Sequence, residues 1–214
     1  SGQHFTDITP PDMVFYGNLF TDGAARLFGT DSSGFIRSVD FGQSWQPVFA
    51  NWKLVSLKFH PDGGLAALAS PLSSNATQLF RSQDNGVTWE DAPPIPGLTP
   101  AAVFYSIQMS SQGDLFVLIR DGSVNKLARS SDLGNNWVVM PIPVTTAAKS
   151  PLAINGLDHL FVVGSTLPYP VFSSADQGQS WFSLPAQTGY NNYGSGLEVS
   201  PSGYLYYARL SGPV

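Results

Sequence analysis

Four aspartates, Asp40, Asp84, Asp132 and Asp176, recur at intervals of 44, 48 and 44 residues, each inside the same short pattern. The segments are Ser38-Val39-Asp40-Phe41-Gly42-Gln43-Ser44-Trp45, Ser82-Gln83-Asp84-Asn85-Gly86-Val87-Thr88-Trp89, Ser130-Ser131-Asp132-Leu133-Gly134-Asn135-Asn136-Trp137 and Ser174-Ala175-Asp176-Gln177-Gly178-Gln179-Ser180-Trp181. A carboxylate can serve as general acid, nucleophile or metal ligand, but that chemistry needs two or more such groups converging on one site. Here each carboxylate has its own turn, too far from the other three to cooperate. The flanking hydroxyls and the glycine indicate a different task. The Asp side chain accepts N–H bonds inside a chain reversal, as in an Asx turn, and Gly42, Gly86, Gly134 and Gly178 take φ > 0. Trp45, Trp89, Trp137 and Trp181 then open the next strand and can anchor it through large buried ring surfaces. In this pattern only Asn136 stands where a hydroxyl is usual.

The remaining chemistry-bearing residues are sparse. Glutamate occurs only as Glu90 and Glu198, and histidine as the isolated His4, His60 and His159. There is no cysteine, which excludes thiol chemistry and thiolate metal sites. No metal or cofactor is expected. Arg37, Arg81 and Arg129 occupy one repeat position just before the turns and suit strand-edge packing. Asp31 and Asp121 are the acids expected in loops at the other end of the strands. No Ser-His-Asp arrangement or Gly-rich phosphate loop can be drawn.

Between the turns a second motif recurs, an alternating apolar run that meets a tight turn and continues as another strand. It runs from Leu57 to Leu68 around Gly63, Ile107 to Leu118 around Gly113, Leu152 to Val163 around Asp158 and Leu197 to Ala208 around Gly203, with a looser version from Phe15 to Gly29 around Gly23. Alternation plus turn chemistry reads as a β-hairpin. Hairpin and Asp turn together make a four-stranded antiparallel unit of about 45 residues, the size of a propeller blade. With strands A to D running outward, the second full unit is expected at 54–60, 64–70, 78–83 and 88–92. The fold predicted is an all-β propeller forming one domain over residues 1–214.

The repeat resembles the Asp-box, or bacterial neuraminidase repeat, of sialidases, some glycosidases and non-catalytic propellers. The resemblance covers nearly the whole chain. It implies a sialidase-like propeller whose boxes are structural and lie away from the ligand face. A sialidase-like mechanism would further require an arginine cluster, a Tyr–Glu pair, an Asp acid/base and a Phe/Tyr-Arg-Ile/Leu-Pro motif. That motif is absent, so the resemblance implies the fold far more strongly than the activity, and a sialidase-like glycoside hydrolase is kept only as an alternative.

Both ends of the chain bear on closure. Gly2-Gln3-His4-Phe5 parallels Gly178-Gln179-Ser180-Trp181, and Ser211-Gly212-Pro213-Val214 parallels Ser33-Gly34-Phe35-Ile36. Five blades are therefore expected, with the N-terminal strand at 2–8 completing the blade formed by 196–214 and so removing open edges. Part of one box, including its Asp, is missing between the ends, so a fragment of a longer or engineered propeller is the alternative.

Loops opposite the boxes are rich in aromatic and amide groups. Trp52, Tyr105, Tyr169, Tyr190, Asn192 and Tyr193, with Arg120 and Lys126 as hydrogen-bonding arms, form the expected ligand-binding set. Aromatic faces stack on sugar rings while Asn and Arg satisfy hydroxyls, so glycan recognition leads. The same residues suit a protein partner, which makes an interaction scaffold the alternative. A net charge of −5 and the lack of any basic run argue against nucleic acid. No apolar stretch reaches the roughly 18 residues of a membrane span. The chain starts Ser1-Gly2, read as a processed terminus, and the resemblance implies an extracytoplasmic location.

Overall fold

Central strands of this chain carry apolar residues on both faces, and the reason is visible in how the sheets stack. The computed structural model describes residues 14–144, 152–164, 170–184, 194–200 and 204–209. These residues form strands, turns and loops, with no helix among them. Four sheets have four strands each, every one a meander with neighbours in sequence order. The first contains β1 (Phe20–Thr21), β2 (Leu27–Thr30), β3 (Gly34–Ser38) and β4 (Gln46–Ala50). The second contains β5 (Trp52–Phe59), β6 (Leu65–Pro71), β7 (Gln78–Ser82) and β8 (Glu90–Asp91). The third is β9 (Val103–Met109), β10 (Leu115–Asp121), β11 (Val124–Ser130) and β12 (Val138–Met140). The fourth is β13 (Leu152–Ile154), β14 (Leu160–Val163), β15 (Val171–Ser174) and β16 (Phe182–Ser183). A further pair, β17 (Gly194–Val199) and β18 (Leu205–Arg209), forms a two-stranded sheet. All pairings are antiparallel. The segment at 2–8 that was expected to close a fifth blade lies outside the described residues.

Two compact units can be separated, one from the residues up to Phe59 with Gly63–Asp91, the other from His60–Asp62 and from Ala92 onward. In the first, sheet packs on sheet through Phe28 and Phe35 on one side and Leu54, Leu57, Leu65 and Ala67 on the other, with Phe49 and Trp89 at the margin. Six consecutive residues of β6, Leu65–Ser70, are buried, which explains its unbroken Leu-Ala-Ala-Leu-Ala run. The second unit repeats the device. Phe116, Leu118 and Leu127 of the third sheet meet Leu152, Leu160 and Val162 of the fourth, and Trp181 packs on this cluster. On the other face of the fourth sheet, Ala153, Phe161 and Val163 meet Leu197, Val199 and Leu205 of β17–β18. Inner strands are also tied by polar bonds: Gln108 Nε2 donates to the Leu152 carbonyl at 2.8 Å, and Leu54 N donates to Thr30 Oγ1 at 2.8 Å.

One irregularity recurs. In β5 the register against β6 shifts between Leu54 and Ser56, in β9 against β10 between Phe104 and Ser106, and in β17 against β18 between Gly194 and Gly196. Val55, Tyr105 and Ser195 are thus the extra residues of three β-bulges. Counted along the paired strands the bulges fall at one repeat position. Bulges re-aim side chains and are common beside functional sites.

Candidate functional site

Each four-stranded sheet has a turn end, with the hairpin and Asp turns, and a loop end. In the third sheet Leu115 pairs with Ser130 at the turn end and Arg120 with Asn125 at the loop end. Five residues of strand separate them, roughly 17 Å.

The four Asp turns share one hydrogen-bond plan. Asp40 Oδ1 accepts from Ser44 N at 2.9 Å and Ser38 Oγ at 2.8 Å, and Oδ2 accepts from Ser44 Oγ at 2.6 Å. Ser38 Oγ in turn accepts Gly42 N–H at 2.9 Å. The same bonds recur at Asp84 with Ser82 and Thr88, and at Asp176 with Ser174 and Ser180. At Asp132 the odd Asn136 is no defect. Its Nδ2 donates to Oδ2 at 2.6 Å and its N to Oδ1 at 2.8 Å, replacing the hydroxyl donor. The expected positive φ is present at Gly42, Gly86, Gly134 and Gly178, and also at the residue before each: Phe41, Asn85, Leu133 and Gln177. Two successive positive φ values mark the I′ class of reversal, whose twist suits adjoining strands. That second position was not legible, because Phe and Leu are poor left-handed residues. Trp45, Trp89 and Trp137 each donate Nε1–H to the carbonyl of the turn glycine, at 3.1, 3.2 and 3.1 Å. Trp89 also sits edge-on to Phe35, with centroids 5.4 Å apart.

These bonds fix the protonation of the carboxylates. The hydroxyl and N–H of Ser44 hold Asp40 down at about 2, as those of Thr88 hold Asp84 and those of Ser180 hold Asp176, both also at about 2. Partial burial pushes Asp132 upward, but the hydrogen bonds from Asn136 and Ser130 outweigh it and its value is lowered. Such groups stay ionised and bonded at neutral pH, which suits architecture rather than proton transfer.

At the loop end of the third sheet, the bulge residue Tyr105 lies under Arg120, whose Cζ is 5.8 Å from the ring centroid. Both side chains are half-buried. Beside them the Pro-rich connection before β9 is pinned to the sheet. Asp121 Oδ1 accepts from Thr99 N at 3.2 Å and Thr99 Oγ1 at 2.5 Å, while Lys126 Nζ donates to Asp121 Oδ2 at 2.7 Å and to the Gly97 carbonyl at 2.8 Å. Hydrogen bonds from Lys126 and Thr99 lower the Asp121 pKa. Lys126, expected as a ligand arm, is therefore a tether for the rim. Thr99 and Gly97 were not anticipated, since nothing in sequence links them to a residue 22 or more positions away.

Of the other expected ligand residues, Trp52 begins β5, half-buried and edge-on to Phe80 with centroids 5.2 Å apart. Its indole thus serves the first unit's aromatic cluster as well as its surface. Tyr169, Tyr190, Asn192 and Tyr193 lie outside the described residues. Asp31 is a turn cap, accepting Ser33 N at 2.8 Å, Ser33 Oγ at 2.6 Å and Gly34 N at 3.1 Å. His60 Nδ1 accepts the Asp62 N–H at 3.1 Å, a turn role. Arg129 Nη2 pairs with Asp114 at 2.9 Å, and Arg81 Nε lies 2.9 Å from Glu90, both along strand margins. Among the described residues no three His, Asp or Glu side chains gather as a metal site would require, and no helix is long and apolar enough to cross a membrane.

No protein-family profile matches the chain, and no curated protein matches it in sequence. Solved structures do match in shape. An ancestral GH74 enzyme aligns with a TM-score of 0.60 and 17% identity, over 87% of this chain and 27% of the other. YCF48 bound to D1 peptide aligns with a TM-score of 0.56 and 20% identity, over 85% and 58%. A Hadza microbial sialidase aligns with a TM-score of 0.54 and 17% identity, over 79% and 46%. The chain spans between about a quarter and three-fifths of their lengths. With its serial four-stranded antiparallel sheets, the chain is an all-β protein of the β-propeller class. Such likeness establishes architecture and leaves activity to the site.

Proposed function

We propose that this chain is an Asp-box propeller that binds without catalysing, and that it recognises carbohydrate through the loop ends of its sheets. The observation that carries the reading is the Arg120–Tyr105 stack at a bulge, beside a rim held by Asp121, Thr99 and Lys126. A half-buried guanidinium stacked over an aromatic ring, beside a fixed rim, supplies directed donors that sugar hydroxyls need, with little loss of freedom on binding. The Asp turns support the non-catalytic half of the proposal. The carboxylates of Asp40, Asp84, Asp132 and Asp176 are held ionised by the hydroxyls, amides and N–H groups of their own turns, a bonding that serves the chain reversal. An extracytoplasmic setting accompanies this reading.

A second reading, peptide recognition at the same loop end, is favoured by the resemblance to YCF48, a propeller whose structure holds a bound peptide. An Arg–Tyr stack is also a common protein-interface anchor. The chain should be screened on a glycan array and a peptide array in parallel. Glycan binding lost in Tyr105→Ala and Arg120→Ala is the expected result. Peptide binding with a silent glycan array would replace the first reading with the second. Turnover of a fluorogenic glycoside abolished by Arg120→Ala would overturn both.

A further inference from the structure

The chain contains two Asn-Gly pairs, Asn85-Gly86 and Asn155-Gly156. In such a pair the glycine nitrogen can attack the asparagine carboxamide, since no following side chain blocks the approach. Their surroundings differ sharply. Asn155 is 8% exposed, and its Oδ1 accepts two backbone N–H groups, Leu157 at 3.0 Å and His159 at 2.9 Å. Its carboxamide is an integral part of the hairpin turn. Asn85 is exposed, on the Asp turn of the second sheet, with φ 64°. Its Oδ1 accepts a hydrogen bond from Arg26 Nη1 at 2.7 Å, and the same guanidinium holds Asp22 through Nε at 2.6 Å. The attacking group is also engaged. Gly86 N–H donates to Ser82 Oγ at 2.8 Å, and Ser82 Oγ lies 2.8 Å from Asp84 Oδ1, to which it donates.

We propose that Asn85 is a self-modification site, where the Arg26 guanidinium, placed on the carboxamide oxygen, promotes closure of Asn85 on Gly86. The Gly86 nitrogen bonds to Asn85 Cγ and releases its proton by way of Ser82 Oγ, the acceptor it already faces, while the departing amide nitrogen takes up a proton from water. The C–N bond of the carboxamide breaks and ammonia leaves, forming a cyclic imide. Water then opens the imide at either carbonyl, giving aspartate or its β-linked isomer; the net change is water in and ammonia out. Negative charge develops on Oδ1 during the attack, where Arg26 already donates, so the cation stabilises that step more than the resting amide. The two products have different fates. An aspartate keeps the main chain and presents a carboxylate to Arg26. The β-linked product lengthens the main chain beside Gly86, where a Cβ would already come within 2.7 Å of Phe28 Cε1 and 2.9 Å of Leu65 Cδ1.

The full chain should be aged in mildly alkaline buffer and mapped by peptide mass spectrometry, with circular dichroism confirming that each variant is folded. The parent is expected to gain the mass of exchanging NH2 for OH at Asn85 well before Asn155. Arg26→Gln should slow conversion at Asn85 by ~10-fold, the weaker effect expected of an oxyanion donor at an exposed site. Arg26→Lys, which keeps a cationic donor, should stay close to the parent. Conversion at Asn155 first, an unchanged Asn85, or faster conversion in Arg26→Gln would each overturn the proposal.

Discussion

The Asp turn of the second sheet can be tested as architecture by adding one methyl group. Gly86 has φ +81°, and an ideal Cβ there would lie 2.7 Å from Phe28 Cε1, 2.9 Å from Phe28 Cζ and 2.9 Å from Leu65 Cδ1. Phe28 and Leu65 are both fully buried, so neither ring nor methyl can swing into solvent. Gly86→Ala therefore combines a left-handed backbone cost of about 1–2 kcal/mol with an overpacking cost of about 1–3 kcal/mol, or about 2–5 kcal/mol together. Gly23 supplies the control. Its φ is +79°, nearly the same, but nothing lies within 4 Å of the added Cβ. Gly23→Ala keeps the backbone cost, is relieved in part by the less flexible unfolded chain, and should lose only about 1 kcal/mol. Urea unfolding of the two variants, followed by tryptophan fluorescence, separates packing from backbone strain. Equal losses would refute the claim that this turn is clamped between the first and second sheets.

Acid should weaken the fold in a defined window. The folded-state values of Asp40, Asp84 and Asp176 are depressed from 3.8 to about 2, so their contribution is complete above 3.8 and is lost as pH falls through about 2. Urea midpoints measured across that range should fall, and Asp40→Asn should flatten the curve. Phe28→Ala removes a fully buried ring from the first unit's core and should cost about 3–5 kcal/mol, read from the same unfolding curves. Lys126→Met should free the connection before β9, seen as faster hydrogen exchange at Thr99 with little change in global stability.

Much of the strand plan was legible because each unit has its own punctuation. For the second sheet the expected strands at 54–60, 64–70, 78–83 and 88–92 compare with Trp52–Phe59, Leu65–Pro71, Gln78–Ser82 and Glu90–Asp91. The alternation of the runs and the glycine positions set those limits. Asp40, Asp84, Asp132 and Asp176 also have the local bonding partners that their flanking hydroxyls implied. The loop end was legible only in residue type. That Tyr105 is a bulge residue under Arg120 depends on how two strands pair, and a one-residue shift in β9 carries no signature in composition. Lys126 shows the same limit. Its position suggested an arm toward a ligand, but the chain folds Gly97 and Asp121 onto it first.

A binding titration of Arg120→Ala and Asp132→Asn, run beside their unfolding curves, tests the division of labour most directly, since both residues belong to the third sheet and its borders. Arg120→Ala should abolish binding to the array-identified glycan with an unchanged unfolding midpoint. Asp132→Asn should lower the midpoint and leave affinity intact. Binding that survives Arg120→Ala but disappears in a folded Asp132→Asn would place the site at the turns and contradict the account.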